Sequence, residues 1–110
     1  MASTKDYLDY VLGQLSELRE LSYRPMMGEY VLYYQGKVVG GIYDNRLLLK
    51  ATQSAMKLQA DTGTTLSMAI PYDGAKEMLA ADIDDIEFTG RLIRSIASDL
   101  PAPKAKKGKQ

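Results

Sequence analysis

The sequence contains no cysteine, no histidine and no tryptophan, and it has a single phenylalanine. Without cysteine, the chain forms no disulfide and offers no thiolate nucleophile and no cysteine-based zinc or iron–sulfur site. Without histidine, it lacks the commonest general base of enzymes and the commonest protein ligand of metal ions. We therefore expect a protein that is not an enzyme and that carries no cofactor.

Long apolar runs are missing as well. No stretch approaches the length of a membrane span, and the N-terminal segment MASTKDYLDY lacks the apolar core of a signal peptide. We therefore expect a cytoplasmic protein with no membrane partner. The hydrophobic share of 45% and the charged share of 25% are ordinary for a globular domain.

Charge is unevenly distributed along the chain. The sequence has 14 basic and 14 acidic residues, but residues 101–110 hold four lysines and no acid, which leaves 10 basic against 14 acidic residues in 1–100. This predicts a single domain over residues 1–100, followed by a flexible basic tail over residues 101–110. The net charge of −4 on residues 1–100 argues against a phosphate-binding surface on the domain itself.

The most informative stretch is residues 24–50, RPMMGEYVLYYQGKVVGGIYDNRLLLK. Three short runs with strand-like alternation are separated by Gln35-Gly36 and by Asp44-Asn45, pairs that tolerate the positive φ of a primed hairpin turn. This predicts a three-stranded antiparallel meander. Two-residue turns would set Leu32 opposite Val39 and Ile42 opposite Leu47.

This register sorts the meander into two faces. One face is apolar enough to pack under helices: Val31, Tyr33, Val38, Gly40, Ile42, Leu47 and Leu49. The other face is amphipathic, with Lys37, Arg46 and Lys50 around Tyr30, Leu32, Tyr34, Val39, Gly41, Tyr43 and Leu48. On that second face, Tyr30 and Leu48 would flank Gly41, so that an aromatic ring lies over the bare glycine backbone.

Helical signals lie on both sides of the meander. Ser3 or Thr4 is a suitable N-cap for a first helix, whose apolar stripe continues to Leu18. Thr52 is a suitable N-cap for a second helix, which Gly63 is placed to end. For the third helix, the spacing predicts Asp84 as the N-cap, with a capping-box Glu87, and an apolar stripe at Phe88, Leu92, Ile93, Ile96, Ala97 and Leu100. Gly90 within that stripe predicts a close helix contact.

Two strands are predicted between the second and third helices. Residues 64–70 alternate between polar and apolar side chains, which indicates a half-buried strand. The sequence Pro71-Tyr72-Asp73-Gly74 is typical of a turn. Residues 76–81 are expected to be the partner strand, although the stretch AKEMLAA at 75–81 also has helical propensity. The predicted fold class is thus α+β, in the order helix, three-stranded antiparallel meander, helix, strand pair, C-terminal helix.

Residues 24–50 resemble the signature of the TfoX N-terminal domain family, named for a bacterial competence regulator. The resemblance comprises the Met27-Gly28 turn, Tyr33 with the tight Gly36 turn, and the strand carrying Leu47, Leu49 and Lys50. Residues 71–76 are similar to a later turn of that family. The resemblance implies a single-domain member with an architecture like that of secretion chaperones, acting as a transcription or competence co-regulator.

Together these features favour a non-catalytic protein-interaction module that binds a protein partner or forms a homodimer. Tyrosine is enriched at protein interfaces, and the predicted partner-binding residues are Tyr30, Leu32, Tyr34, Tyr43, Leu48, Arg24 and Met27. The alternative is a nucleic-acid-binding adaptor, because tyrosines beside basic residues also form platforms that stack bases. Its residues would be Lys37, Arg46 and Lys50 with the tail lysines Lys104, Lys106, Lys107 and Lys109.

Two weaker motifs predict no chemistry. The acidic cluster Asp82, Asp84, Asp85 and Glu87 has the composition of a Mg²⁺ or Ca²⁺ site, but helix N-capping accounts for its residues, so no metal is predicted. The dipeptide Gly36-Lys37 lacks both the first glycine and the final Ser or Thr of a P-loop.

Overall fold

The computed structural model describes residues 3–102, which form an α+β fold of one antiparallel sheet and three helices. The helices are α1 (Lys5–Gln14), α2 (Gln53–Thr62) and α3 (Ile86–Asp99). The strands are β1 (Leu21–Met26), β2 (Glu29–Tyr34), β3 (Lys37–Ile42), β4 (Leu47–Lys50), β5 (Met68–Ala69) and β6 (Met78–Ala80). Their order across the sheet is β1-β2-β3-β4-β6-β5. The predicted fold class and element order are confirmed, with β1 extending the meander to four strands.

Tight turns join the four strands of the meander. Both central residues of each turn have positive φ, as type I′ hairpins require: Met27-Gly28, Gln35-Gly36 and Asp44-Asn45. The second and third turns confirm the sequence prediction, and the first lies at the Met27-Gly28 turn that the family resemblance includes. Because primed turns match the right-handed twist of the strands they join, β1 to β4 form one continuous twisted ribbon.

The helix ends follow local hydrogen-bonding signals. Thr4 and Thr52 cap α1 and α2, and Gly63 ends α2 in the left-handed conformation, as predicted. The N-cap of α3 is Asp85, whose carboxylate accepts from the backbone of Phe88, so the prediction of Asp84 was wrong by one residue. Asp84 instead accepts a hydrogen bond from the hydroxyl of Tyr10.

The segment before α1 is hydrogen-bonded to residues at two of the hairpin turns. The backbone N–H of Ser3 donates to the Gly28 carbonyl at 2.9 Å, and its hydroxyl donates to Glu29 Oε1 at 2.5 Å. The backbone N–H of Thr4 donates to Asn45 Oδ1 at 2.9 Å. These bonds satisfy polar groups at the sheet end and fix the start of α1 over the sheet.

The strand pair after α2 is shorter than predicted. Only Met68–Ala69 is strand within the predicted range of 64–70, while β6 lies inside the predicted range of 76–81. The physical reason is that the backbone N–H of Leu66 donates to the buried Gln59 side chain at 2.6 Å. This bond holds the segment before β5 against α2, so that strand pairing begins only at Met68.

A β-bulge changes the register between β2 and β3. Tyr34 pairs with Lys37 as predicted, but Leu32 pairs with Gly40 and Tyr30 with Ile42, so Val39 is the extra residue of β3. A slip of one residue exchanges the two faces of a strand. The predicted grouping of β2 with the second half of β3 was therefore wrong.

All three helices pack on one side of the sheet, the helix face. The core cluster there joins buried residues of the helices to strand residues from both sides of the bulge: Leu32, Val39, Ile42, Leu47, Leu49 and Leu79. Removing each such side chain from water contributes about 1.5–3 kcal/mol. Among residues 3–102, no helix is both long enough and apolar enough to span a bilayer.

Candidate functional site on the outer face of the sheet

We call the side of the sheet opposite the helices the outer face. Strand alternation places on it Arg24, Val31, Tyr33, Val38, Gly41, Leu48, Lys50 and Met78, with Tyr43 directly after β3. Within the described residues, no helix covers this face. It is therefore where the fold leaves sheet side chains available for contact.

Three of the predicted partner-binding residues lie elsewhere. Leu32 is 0% exposed and belongs to the core under the helices, and Tyr30 and Tyr34 are half-buried against that core. Because of the bulge, these three residues occupy the helix face rather than the face of Tyr43 and Leu48. The single surface predicted to contain all five residues does not exist.

A row of small and apolar residues crosses the outer face. Val31, Gly41 and Leu48 are neighbours on adjacent strands, and Leu48 is 0% exposed. A Cβ placed on Gly41 would lie 2.6 Å from a ring carbon of Tyr43, so that ring covers the glycine. The sequence predicted Tyr30 as the covering ring, whereas the structure places Tyr43 there. Leu48 is consequently covered by the chain itself.

The segment between β5 and β6 adds a second tyrosine to this face. The rings of Tyr43 and Tyr72 meet edge to face with centroids 6.2 Å apart, and Tyr72 is 64% exposed. The pKa of Tyr43 is raised, mainly by burial and to a smaller extent by the nearby Tyr72 and Glu29. Tyr72 was not among the predicted site residues, although the Pro-Tyr-Asp-Gly turn is the sequence signal that exposes it.

A groove of about 510 Å³ lies between residues 71–78 and parts of β3 and β4. Its walls combine aromatic, apolar and basic side chains: Val38, Tyr43, Lys50, Tyr72, Lys76 and Met78. One acid, Glu77, also lines it. Within residues 3–102, no carboxylate lies within 4.0 Å of the Lys50 or Lys76 ammonium group. The groove thus presents two unneutralised cations beside apolar surface.

The remaining predicted partner-binding residues lie on β1 and its turn. The Arg24 guanidinium lies 5.8 Å from the centroid of the Tyr33 ring, in a cation–π contact on the outer face. Met27 is 98% exposed at the tip of the β1–β2 hairpin. Both residues are accessible, but they are on the opposite side of β3 from the groove.

The basic residues of the nucleic-acid alternative do not form one patch. The Lys37 ammonium donates to the Ala97 carbonyl at 3.0 Å on the helix face, where it caps the last turn of α3. The Arg46 side chain donates to the Tyr43 carbonyl at 3.2 Å, and Lys50 lines the groove. The predicted tail residues Lys104, Lys106, Lys107 and Lys109 lie outside the described residues.

Within residues 3–102, three further groups have shifted pKa values, and all three lie outside the groove. Burial raises the pKa of Tyr7, and a hydrogen bond to Asp84 raises the pKa of Tyr10. Hydrogen bonds from Ser54 lower the pKa of the Asp99 carboxyl. Across residues 3–102, no group of three or more acidic side chains is arranged to hold a metal ion.

Comparison with known proteins agrees with the family signature in the meander. Residues 13–85 match the model of the TfoX N-terminal domain. The chain is also 38% identical over 112 residues to a protein of Spirochaeta aurantia described as "Uncharacterized 12.7 kDa protein in trpE 5'region", covering 99% of this chain and 93% of that relative. The chain belongs to the TfoX N-terminal domain family, a family of regulatory domains associated with competence regulation.

Proposed function

We propose that this protein is a non-catalytic interaction module that regulates transcription by binding a partner protein through the groove on its outer face. The observation that carries the proposal is the groove itself, where Tyr43, Tyr72 and Met78 surround two unneutralised lysines. Tyrosine and methionine supply adaptable apolar contact, and an ammonium group without a carboxylate neighbour favours an acidic partner. The expected ligand is a protein segment with an apolar or aromatic side chain next to an acidic residue.

Protein contact accounts for this surface better than nucleic-acid contact. Affinity for a phosphate backbone grows with the number of cations that one surface presents. Lys37 and Arg46 already donate to backbone carbonyls, and Lys37 lies on the opposite face from Lys50. The net charge of −4 on residues 1–100 also repels polyanions.

A crosslinking experiment in the native cell tests the proposal. Tyr72 is replaced by the photo-reactive amino acid benzoylphenylalanine, because its ring is largely exposed at the groove mouth. We expect one discrete crosslinked product with a partner protein after illumination. Combining this replacement with Lys50→Glu and Lys76→Glu should abolish the product, because two attractive charges become repulsive.

The matched control carries Lys5→Glu and Lys57→Glu instead. These lysines are exposed on α1 and α2, outside the groove, and their replacement changes the net charge by the same amount. The control should retain the product. A product that survives the groove substitutions, or is lost equally in the control, would refute the proposed site.

The regulatory consequence is measured as transcript abundance in the same strains. If the groove carries the function, the groove variant should reproduce the transcript changes of a deletion strain, whereas the control should match the wild type. A product with the mass of two copies of this chain would instead identify self-association. Sedimentation of the purified protein then decides between the two, because a dimer must form at high concentration without any other protein.

A further inference from the structure

The two edges of the sheet are built differently. At the β1 edge, antiparallel pairing with β2 points the backbone groups of every second residue away from the sheet, and Pro25 is one of these residues. Proline has no N–H, and the N–H of Leu21, another such residue, already donates to the Leu18 carbonyl at 3.0 Å. The charged Arg24 lies beside Pro25 in the same strand. These features close the β1 edge to a further strand.

The β5 edge, at the opposite end of the sheet, lacks these features. The Ala80 N–H donates to the Ser67 carbonyl at 2.8 Å, and Met68 is the next residue of β5. Because antiparallel residues alternate between bonded and non-bonded pairs, the backbone groups of Met68 point away from β6. Within the described part of the chain, no strand pairs with that side of β5. Residues 64–70, TTLSMAI, contain neither proline nor a charged side chain.

Partly exposed apolar side chains lie along this edge. Met68 and Ile70 are 38% and 49% exposed, and strand alternation places them on the helix face together with Leu66, which packs against the core. The Gln59 side chain accepts from the Leu66 N–H and donates to the Met56 sulfur, so it holds Met56 close to this edge. Met56 is itself 44% exposed. The helices thus leave apolar surface uncovered beside β5.

We propose that β5 pairs with β5 of a second copy of this chain, antiparallel and about a twofold axis at Met68. The Met68 residues of the two copies then exchange two backbone hydrogen bonds. Leu66 of each copy lies opposite Ile70 of the other, and the Ile70 N–H donates to the Leu66 carbonyl, while the Leu66 N–H keeps its bond to Gln59. The groove lies over β3, β4 and residues 71–78, so the dimer presents two grooves.

A second copy fits this edge because the edge is complementary to itself. Each copy directs N–H groups of Met68 and Ile70 and carbonyls of Leu66 and Met68 outward, and twofold pairing matches each donor with an acceptor. Since the stretch is uncharged, no like charges meet when two copies pair. On α2, which precedes it, Lys57 and Asp61 already pair with each other at 3.1 Å. A charged strand from another protein would therefore find no opposite charge here.

Disulfide trapping tests the register, because the natural chain has no cysteine and a single introduced thiol reports contact between copies. In Met68→Cys, the two Cα atoms should lie about 5.5 Å apart, within the range that a disulfide spans. We expect rapid formation of a linked dimer with glutathione disulfide as the oxidant. In the control Ala69→Cys, the two Cα atoms should lie roughly 8 Å apart, and linking should be much slower. Equal linking of the two variants would overturn the proposal.

Sedimentation of the full-length protein tests the association itself. We expect a dimer at high micromolar concentration, and a monomer for Met68→Lys, which sets two like charges opposite each other at the axis. The matched control Met27→Lys alters a 98% exposed residue at the distant β1–β2 turn and should remain dimeric, as should the groove variant Lys50→Glu with Lys76→Glu. A dimer that survives Met68→Lys, or that is lost in either control, would overturn the proposal. A monomeric wild type, even one whose β5 edge captures a strand of another protein, would also overturn it and leave the groove proposal standing.

Discussion

At the scale of single residues, the outer face depends on Gly41 and Tyr43. Gly41 lies mid-strand, and an added Cβ would be 2.6 Å from both the Tyr30 carbonyl oxygen and the Tyr43 ring. The bare backbone lets the ring lie against the sheet between Val31 and Leu48. Those two residues are thereby kept from water without a helix above them.

We therefore predict that Gly41→Ala destabilises the protein by about 1–3 kcal/mol, the usual range for overpacking. Urea denaturation measures the change in the free energy of unfolding. Tyr43→Ala combined with Gly41→Ala should not restore stability, because the Tyr30 carbonyl still opposes the methyl group and the ring that covers Val31 and Leu48 is lost. If Gly41→Ala alone is as stable as the wild type, the ring does not depend on this glycine.

At the scale of elements, the sequence predicted most of the helices and turns because their signals are local. A threonine cap, a helix-ending glycine and a two-residue hairpin each depend on a few adjacent residues. The bulge between β2 and β3 depends on packing across the whole sheet. In the β2 sequence EYVLYY, both sets of alternating positions carry apolar or aromatic residues. The alternation therefore does not indicate which side of β2 faces the helices.

The same distinction applies to the candidate site. Tyr43 and Arg24, predicted for partner binding, and Lys50, predicted for the nucleic-acid alternative, lie on the outer face, but the sequence also grouped Leu32 with Tyr43. The turn at residues 71–74 was recognised, yet a turn signal does not say which surface the turn folds onto. Tyr72 and Lys76 lie at the groove because β6 pairs with β4, and the sequence does not predict that pairing.

The hydrogen bonds between α2 and α3 predict that the stability of the fold depends on pH. Asp99, at the end of α3, accepts hydrogen bonds from the Ser54 hydroxyl at 2.6 Å and from the Ser54 backbone N–H at 2.8 Å. These bonds satisfy a free N–H in the first turn of α2 and lower the pKa of the Asp99 carboxyl below its ordinary value of 3.8. The ionised carboxylate therefore stabilises the folded state.

Because the pKa is lower in the folded state, this stabilisation is present above the unfolded pKa and is lost as the pH falls through the folded one. We expect Asp99→Asn to lower the melting temperature near pH 6, and the gap from the wild type to close below about pH 4. Thermal unfolding followed by circular dichroism measures both. The control Asp73→Asn alters an exposed turn residue and should show no such convergence. A gap independent of pH would exclude the ionised form of Asp99 as its cause.

At the scale of the whole molecule, the sheet has apolar residues buried on both sides. The helices cover one side, whereas Tyr43 and residues 71–78 flank the buried row of Val31 and Leu48 on the other. This arrangement separates two roles on the outer face. Fully buried residues there contribute to stability, and the exposed rim of the groove remains free to bind.

We predict that Leu48→Ala and Leu32→Ala each destabilise the protein by about 2–5 kcal/mol, since both side chains are 0% exposed and truncation would leave a cavity. Met27→Ala should change stability by less than about 0.5 kcal/mol, because Met27 is 98% exposed. Chemical denaturation of the three variants measures these differences. A cost below about 1 kcal/mol for Leu48→Ala alone would mean that the thin cover over the outer face opens to water, and that Leu48 is available to a partner after all.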